Sequence, residues 1–99
     1  MGRFDVYRDP DGPGYLLDVQ ADLLSHLNSR LVVPLMPPDQ APKPAKGLNP
    51  EFTIGESTLV MVTQFLSAVP TSVLREPVAT LDRHHTEIVD AIDLLLQGF

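Results

Sequence analysis

The sequence contains no cysteine, so disulfides, thiolate nucleophiles and cysteine-based zinc sites are excluded. Basic residues are also few: 7 Lys and Arg stand against 13 Asp and Glu, which gives a formal net charge of -6. Binding to bare nucleic acid requires clustered Lys and Arg that neutralise phosphates, so this balance argues against it. The same charge is compatible with docking on a basic protein surface.

Several recognisable signals are missing as well. The sequence has no Gly-x-Ser-x-Gly elbow, no Walker loop and no dinucleotide fingerprint. No apolar run approaches the roughly 20 residues that cross a bilayer. Residues 1–5 lack the charged-then-apolar pattern of a secretion signal. We therefore expect a soluble, cytoplasmic protein without catalytic residues, cofactor or metal.

The 99 residues fit one domain, and the 10 prolines favour strands joined by turns over a helical bundle. The predicted strands are 3–8, 15–20, 30–35, 51–54, 57–62 and 69–74. Turn residues at 9–14 predict a hairpin with a long loop, and Gly55-Glu56 predicts a tight hairpin turn. Residues 21–28 are ambiguous between one helical turn and a loop lying on the core. The stretch 37–47 is rich in proline and predicts a long loop.

A single C-terminal helix is predicted from about Leu81 to Leu96, with Thr80 and Asp82 as candidate N-caps and Glu87 favourably placed near its start. The predicted apolar face comprises Leu81, His85, Ile88, Ile92, Leu95 and Phe99. Short antiparallel strands followed by one helix predict a small barrel or a strongly bent sheet. The fold class is mainly β with one C-terminal helix.

The histidine pair His84-His85 points to different sides of a helix and lacks the spacing of four that a helical zinc pair needs. We therefore interpret His85 as a half-buried structural residue on the apolar face. Ser25 and His26 are adjacent in sequence, which does not establish a catalytic geometry. The carboxylates Asp18, Asp22 and Asp39 share no metal-ligand spacing.

The last residues, Leu94 to Phe99, combine an aliphatic triplet, a glycine and an aromatic side chain. Gly98 is expected to adopt a positive φ and to end the helix. Phe99 is then either an anchor for a partner or a side chain that folds back on its own barrel or on a dimer mate. The residues alone leave both interpretations open.

Six segments in order resemble the CcdB family and together cover nearly the whole chain. They are Phe4-Asp5-Val6-Tyr7, Leu17-Asp18-Val19-Gln20-Ala21-Asp22, Arg30-Leu31-Val32-Val33-Pro34-Leu35, Phe52-Thr53-Ile54-Gly55, Ser67-Ala68-Val69-Pro70-Thr71-Ser72-Val73 and Asp90-Ala91-Ile92-Asp93-Leu94-Leu95. The resemblance implies that residues 1–99 form a single domain, an SH3-like barrel with a C-terminal helix. It also implies that two copies of this domain form a homodimer. The loop from 37 to 50 matches the family least.

The resemblance further implies the toxin of a type II toxin–antitoxin pair. Such a toxin binds the A subunit of DNA gyrase, traps gyrase on cleaved DNA, and is neutralised by a CcdA-like antitoxin whose disordered segment folds on binding. The gyrase-facing residues carried over by position are Leu23, Leu24, Asp93, Leu96, Gln97, Gly98 and Phe99. Gln97 departs from the family, which has a tryptophan there that stacks on a gyrase arginine. Glutamine has no π face, so we expect weaker gyrase binding.

Two alternatives accompany this interpretation. The first is a CcdB-like binding module that binds antitoxin but has lost gyrase poisoning. The second is an endoribonuclease of the MazF/Kid type, because those toxins share this barrel. The acidic charge and the lack of an assembled acid–base set argue against the second alternative.

Overall fold

A computed structural model describes residues 2–98 and contains seven strands and one α-helix. The strands are β1 (Asp5–Arg8), β2 (Tyr15–Asp18), β3 (Ser29–Met36), β4 (Glu51–Ile54), β5 (Ser57–Met61), β6 (Ser67–Pro70) and β7 (Ala79–Thr80), and the helix is α1 (His85–Gln97). The predicted class, mainly β with one C-terminal helix, is confirmed. In the described part of the chain, no helix is long and apolar enough to cross a membrane.

All paired strands are antiparallel, in the order β4-β5-β3-β2-β1-β7, and β6 also pairs with β3. The long strand β3 organises this arrangement. Along one edge, residues 29–32 pair with β6, whereas Leu35 and Met36 pair with β5. Because one strand serves two partners along the same edge, the sheet bends into a nearly closed barrel.

Both predicted hairpins are present. In the first, Arg8 pairs with Tyr15 across the 9–14 loop. In the second, Ile54 pairs with Ser57, and Gly55 has a φ of 61° at the tight turn. The loop predicted over 37–47 is confirmed and is somewhat longer, because residues 37–50 contain neither helix nor strand.

The first strand begins later than predicted because Phe4 has a φ of 71°, which interrupts the extended backbone. Its amide donates to the Asp18 carbonyl, and its carbonyl accepts from the Leu81 amide at 2.9 Å. Phe4 therefore joins the start of the sheet to the segment that leads into α1. The second strand also ends earlier than predicted, at Asp18.

The prediction of a strand over 69–74 is wrong after Pro70. Strand β6 ends there, and residues 71–73 form a 3₁₀ turn. The reason is that Pro70 pairs with Ser29, which is the first residue of β3, so later residues have no strand to pair with. The two-residue strand β7, which pairs with β1, is not predicted by the sequence.

The helix begins at His85 rather than Leu81, because residues 82–84 form a 3₁₀ turn. Neither predicted N-cap is correct: His84 occupies the cap position of α1 without a side-chain cap bond. The Thr80 hydroxyl instead accepts the Asp82 amide at 3.3 Å. Glu87 lies in the first helical turn, as predicted.

The main core lies between the inner face of the sheet and α1. Its buried residues are Phe4, Val6, Leu17, Val19, Val33, Leu35, Phe52, Leu59, Met61, Leu81, Ile88 and Ala91. The predicted apolar helix face is partly wrong, because His85 and Leu95 are exposed and Ala91 is buried. His85 contacts Phe4 edge-on, with ring centroids 5.3 Å apart. A smaller cluster on the outer face contains Tyr7, Leu16, Val32 and Leu74.

Candidate protein-binding site

The last turn of α1 carries one part of the predicted site. Leu96 is 67% exposed, Gln97 is exposed, and Asp93 is half-buried. Gly98 ends the helix with a φ of 78°, and its amide donates to the Leu94 carbonyl at 2.9 Å. This confirms the prediction that Gly98 ends the helix with a positive φ. Phe99 lies outside the described residues.

The helix exposes its end because its buried face is short. Ile88 and Ala91 are the buried residues of α1. Farther along, the Leu94 side chain lies beside Gly47 in the long loop, while Leu96 points away from the core into solvent. An exposed leucine next to an exposed amide at a helix end is an arrangement that another protein surface can cover.

A second part of the site lies on a 3₁₀ turn of residues 22–24. Leu23 is 87% exposed and Leu24 is 42% exposed. Every residue from Ala21 to Asn28 is exposed, which resolves the ambiguity left by the sequence: the segment contains a short turn and does not lie on the core. We call Ala21–Asn28 the leucine turn.

The structure does not bring these two parts together in an extended contact. Within residues 2–98, α1 packs against the 3₁₀ turns at 63–65 and 82–84, and no comparable packing joins it to the leucine turn. The predicted site therefore consists of two separate apolar patches on one protomer.

A buried ion pair supports the leucine turn, and sequence reasoning missed it. Both side chains, Asp18 and Arg30, have no solvent exposure, and Arg30 Nη2 lies 2.7 Å from Asp18 Oδ2. Arg30 Nε donates to the same oxygen at 2.9 Å. Burial raises the pKa of Asp18, an effect opposed by the hydrogen bonds from Arg30 and from the Gln20 amide. The sequence does contain a signal for this ion pair: Asp18 lies at the end of one strongly apolar strand, and Arg30 lies near the start of the next.

The remaining polar candidates do not assemble into a metal centre. Among the described residues, no group of three His, Cys, Asp or Glu side chains is placed to hold a metal ion. His84 Nδ1 lies 3.1 Å from Glu87 Oε1, and His84 also packs on Phe52, with ring centroids 5.0 Å apart. Ser25 and His26 are both exposed in the leucine turn.

A groove of about 630 Å³ lies beside the outer cluster. It is lined by Tyr7, Arg8, Pro10, Val73, Arg75, Glu76 and Val78. The groove combines apolar walls with two guanidinium groups and one carboxylate, so it offers both packing surface and charged groups to a ligand. Sequence reasoning did not identify it, because its residues come from the first hairpin and from the segment after β6.

The protein is a small barrel with outward-facing apolar patches at two places, the end of α1 and the leucine turn. The family model described as CcdB protein matches residues 3–98. The chain belongs to the CcdB family, and this membership supports the role of toxin in a toxin–antitoxin system, with an antitoxin as partner.

Two solved structures share the fold. One, an endoribonuclease in complex with its cognate antitoxin from a mycobacterial species, is 15% identical, with a TM-score of 0.76 over 97% of this chain and 94% of that chain. Another, an endoribonuclease from a mycobacterial species, is also 15% identical, with a TM-score of 0.78 over 97% of this chain and 90% of that chain. At this identity the likeness is one of fold.

Proposed function

We propose that this chain is the toxin of a type II toxin–antitoxin pair, and that it binds the A subunit of DNA gyrase through the exposed end of α1. The observation that carries the proposal is the helix end itself, where Leu96 is 67% exposed beside Gln97 and the chain turns at Gly98. A helix that buries Ile88 and then projects past the core presents a surface suited to a protein partner. Membership of the CcdB family supports the same assignment.

The proposed mechanism is inhibition by binding, without bond chemistry. A protein that binds the DNA-cleaved conformation of gyrase more tightly than the other conformations shifts the population toward it. The extent of trapping is then set by the difference between the two affinities, and a ligand with equal affinity for both states traps neither.

We further propose a homodimer as the active form. The two apolar patches lie apart on one protomer, and a two-fold axis would present two copies of each to a gyrase dimer that is itself symmetric. Every contact would then be made twice. The predicted cytoplasmic location is the one that gives access to gyrase.

Gln97 sets the strength of this interaction. An aromatic side chain at that position would add apolar area and a cation–π contact, together worth on the order of 1–3 kcal/mol per site. Without these two contributions, the affinity per site is roughly tenfold or more lower. The proposal therefore includes moderate gyrase affinity, together with intact binding of a CcdA-like antitoxin.

The test is a gyrase assay with purified components. Wild-type protein is added to gyrase and supercoiled DNA, and cleaved DNA is quantified after denaturation of the protein. We expect cleaved DNA to accumulate with the wild type and to decrease strongly with Leu96→Ala. Thr58→Ala, which shortens an exposed side chain on β5 outside both the candidate site and the groove, is the control and should leave cleavage unchanged.

The result also separates the proposal from the binding-module alternative. If the wild type binds an antitoxin but neither binds the gyrase A subunit nor increases cleaved DNA, the chain is a CcdB-like module without gyrase poisoning. Equal effects of Leu96→Ala and Thr58→Ala would show that the end of α1 is not the contact surface.

A second candidate function, RNA cleavage, takes its support from the groove near Tyr7 and from the shared fold. Glu76, Arg75 and Arg8 supply a carboxylate and two cations in one concave surface, which are groups used in general acid–base catalysis and in binding phosphate. The two structures of similar fold are described as endoribonucleases. Incubation of purified protein with RNA, with Glu76→Gln as the control, decides this candidate.

A further inference from the structure

The leucine turn is exposed yet firmly attached to the barrel. Leu23, Leu24 and Leu27 expose 87%, 42% and 42% of their surface, respectively. Such leucines gain nothing from solvent, and an unanchored loop would let them collapse onto nearby apolar surface. Backbone hydrogen bonds within the turn, from Leu27 to the Leu24 carbonyl and from Ser25 to the Asp22 carbonyl, give it a defined shape.

Gln20 connects this turn to the buried interior. Its side-chain amide nitrogen donates to the Leu24 carbonyl at 3.1 Å, and its side-chain oxygen accepts the Leu31 amide at 3.1 Å. Its backbone amide donates to Asp18 Oδ1 at 3.1 Å, and its carbonyl accepts from Arg30 Nη2 at 3.4 Å. One residue therefore joins the turn, the strand β3 and the buried ion pair.

Asp22 fixes the start of the leucine turn. Its Oδ1 atom accepts the Arg3 amide at 2.8 Å and lies 3.9 Å from Arg30 Nη2. Arg3 in turn donates from Nε to the Val19 carbonyl at 3.2 Å. The turn is consequently held at its start by Asp22 and near its middle by Gln20.

We propose that Gln20 is a positioning residue, which fixes the leucine turn so that Leu23 and Leu24 meet a partner without first being ordered. This inference rests on the proposed function, because the partner it names is the gyrase A subunit. Ordering a loop and its side chains on binding lowers affinity, and a loop that is ordered beforehand avoids that loss. Gln20 itself touches the protein's own backbone and not the partner.

The test uses Gln20→Glu. Glutamate keeps the length of the side chain and the oxygen that accepts the Leu31 amide, but it removes the donor to the Leu24 carbonyl. Gln40→Glu is the matched control, because it adds the same charge at an exposed glutamine in the long loop. Hydrogen exchange at the amides of Leu24, Ser25 and Leu27 should become about tenfold faster in Gln20→Glu, with no change in Gln40→Glu or at the Leu31 amide.

Affinity for the gyrase A subunit, measured by calorimetry, should fall roughly three- to tenfold in Gln20→Glu. The decisive comparison adds Leu23→Ala. If Gln20 acts through the leucines, Gln20→Glu has a much smaller effect on affinity in the Leu23→Ala background. If Gln20→Glu instead lowers affinity by the same factor in the wild type and in Leu23→Ala, its effect does not pass through Leu23, and that result would overturn the proposal.

The outcomes separate this inference from the proposed function. Absence of any wild-type binding to the gyrase A subunit overturns the proposed function, whereas unchanged exchange in Gln20→Glu overturns the role of Gln20. If Gln20→Glu does not fold, Gln20→Met is used instead, because it keeps an uncharged side chain of similar length and still removes the donor to the Leu24 carbonyl. Exchange in the turn must then increase, or the anchoring is refuted.

Discussion

The guanidinium of Arg30 meets a single oxygen of Asp18 through two nitrogens, at 2.7 and 2.9 Å, with neither side chain exposed. The other Asp18 oxygen accepts the Gln20 amide. The pair thus lies between strands β2 and β3 and holds the residue that supports the leucine turn. Removing two charges from water is costly, so such a pair supports the fold only while both partners remain.

Breaking this pair should destabilise the protein strongly. Asp18→Asn leaves the buried Arg30 charge with the exposed Asp22 carboxylate, 3.9 Å from Nη2, as its remaining counter-charge among the described residues. We therefore expect the free energy of unfolding to fall by about 3–5 kcal/mol. Denaturant unfolding followed by circular dichroism measures it. Asp90→Asn, which neutralises an exposed carboxylate on α1, is the control and should change stability by less than about 0.5 kcal/mol. A loss below about 1 kcal/mol for Asp18→Asn would contradict the structural role.

Replacing both charges should be better tolerated. The double variant Asp18→Leu with Arg30→Met removes the burial penalty of each ion along with their attraction, and such exchanges are often neutral. We expect it to be more stable than Asp18→Asn alone.

Tyr7 should make the protein sensitive to alkaline pH. Burial, with a smaller contribution from the charges of Asp5 and Asp18, raises the pKa of the Tyr7 phenol above its ordinary 10.0, and Arg30 opposes the increase. The unfolded chain ionises near the ordinary value. The stabilising contribution of Tyr7 is therefore complete below pH 10.0 and is lost as the pH rises through the higher pKa of the folded state.

The two tyrosines of the chain make this measurable. In Tyr15→Phe, Tyr7 is the remaining phenol, and its absorbance titration should have a midpoint above 10.0. As the pH rises above 10.0, the free energy of unfolding should fall less in Tyr7→Phe than in the wild type. At neutral pH it should differ by less than about 1 kcal/mol, because among the described residues the buried Tyr7 hydroxyl has no hydrogen-bond partner. A midpoint at or below the ordinary value would refute this prediction.

The first hairpin should tolerate a methyl group at one glycine but not at another. A Cβ atom at Gly14 would collide with the Leu35 carbonyl oxygen, which belongs to a rigid strand. Gly14→Ala should therefore lower the free energy of unfolding by about 1–3 kcal/mol. At Gly12 the nearest atom to such a Cβ is Asp9 Oδ2, at 3.5 Å, an ordinary contact. Gly12→Ala is thus the control, and equal losses in thermal stability for both variants would be inconsistent with the close approach.

An aromatic side chain at the helix end should strengthen gyrase binding. Gln97→Trp adds apolar area and a cation–π partner on an exposed turn, so affinity for the gyrase A subunit should increase roughly tenfold or more. Gln40→Trp places the same side chain in the exposed long loop and should leave affinity unchanged. Calorimetry distinguishes the two. If both variants bind alike, residue 97 does not face gyrase.

Much of the fold was predictable because local patterns determined it. The hairpin around Gly55 follows from alternating apolar residues and a glycine with positive φ, and the helical pattern around Ile88 predicts α1. Errors arose where distant residues decide the outcome. Pro70 ends its strand because β3 begins at Ser29, and Phe4 adopts a positive φ because its two backbone groups bond to Asp18 and Leu81.

The candidate site likewise has parts that the sequence predicted and parts that it did not. Local residues predicted that Gly98 ends the helix, but they left open whether the end of α1 projects or folds back. Leu23, Leu24, Leu96 and Gln97 came from the family resemblance. The support beneath the leucine turn was not foreseen, since the contact between Asp18 and Arg30 depends on the register of β2 against β3. A single sequence does not specify that register.

The pairing of β1 with β7 has a consequence for synthesis on the ribosome. Asp5 and Val6 leave the exit tunnel early, but their partners are Thr80 and Ala79. Until those late residues emerge, one edge of the nascent sheet stays open, and contacts so distant along the chain form slowly. Residues 79–80 must therefore leave the exit tunnel before the barrel can seal, so a ribosome stalled before that point would carry an unsealed and aggregation-prone chain.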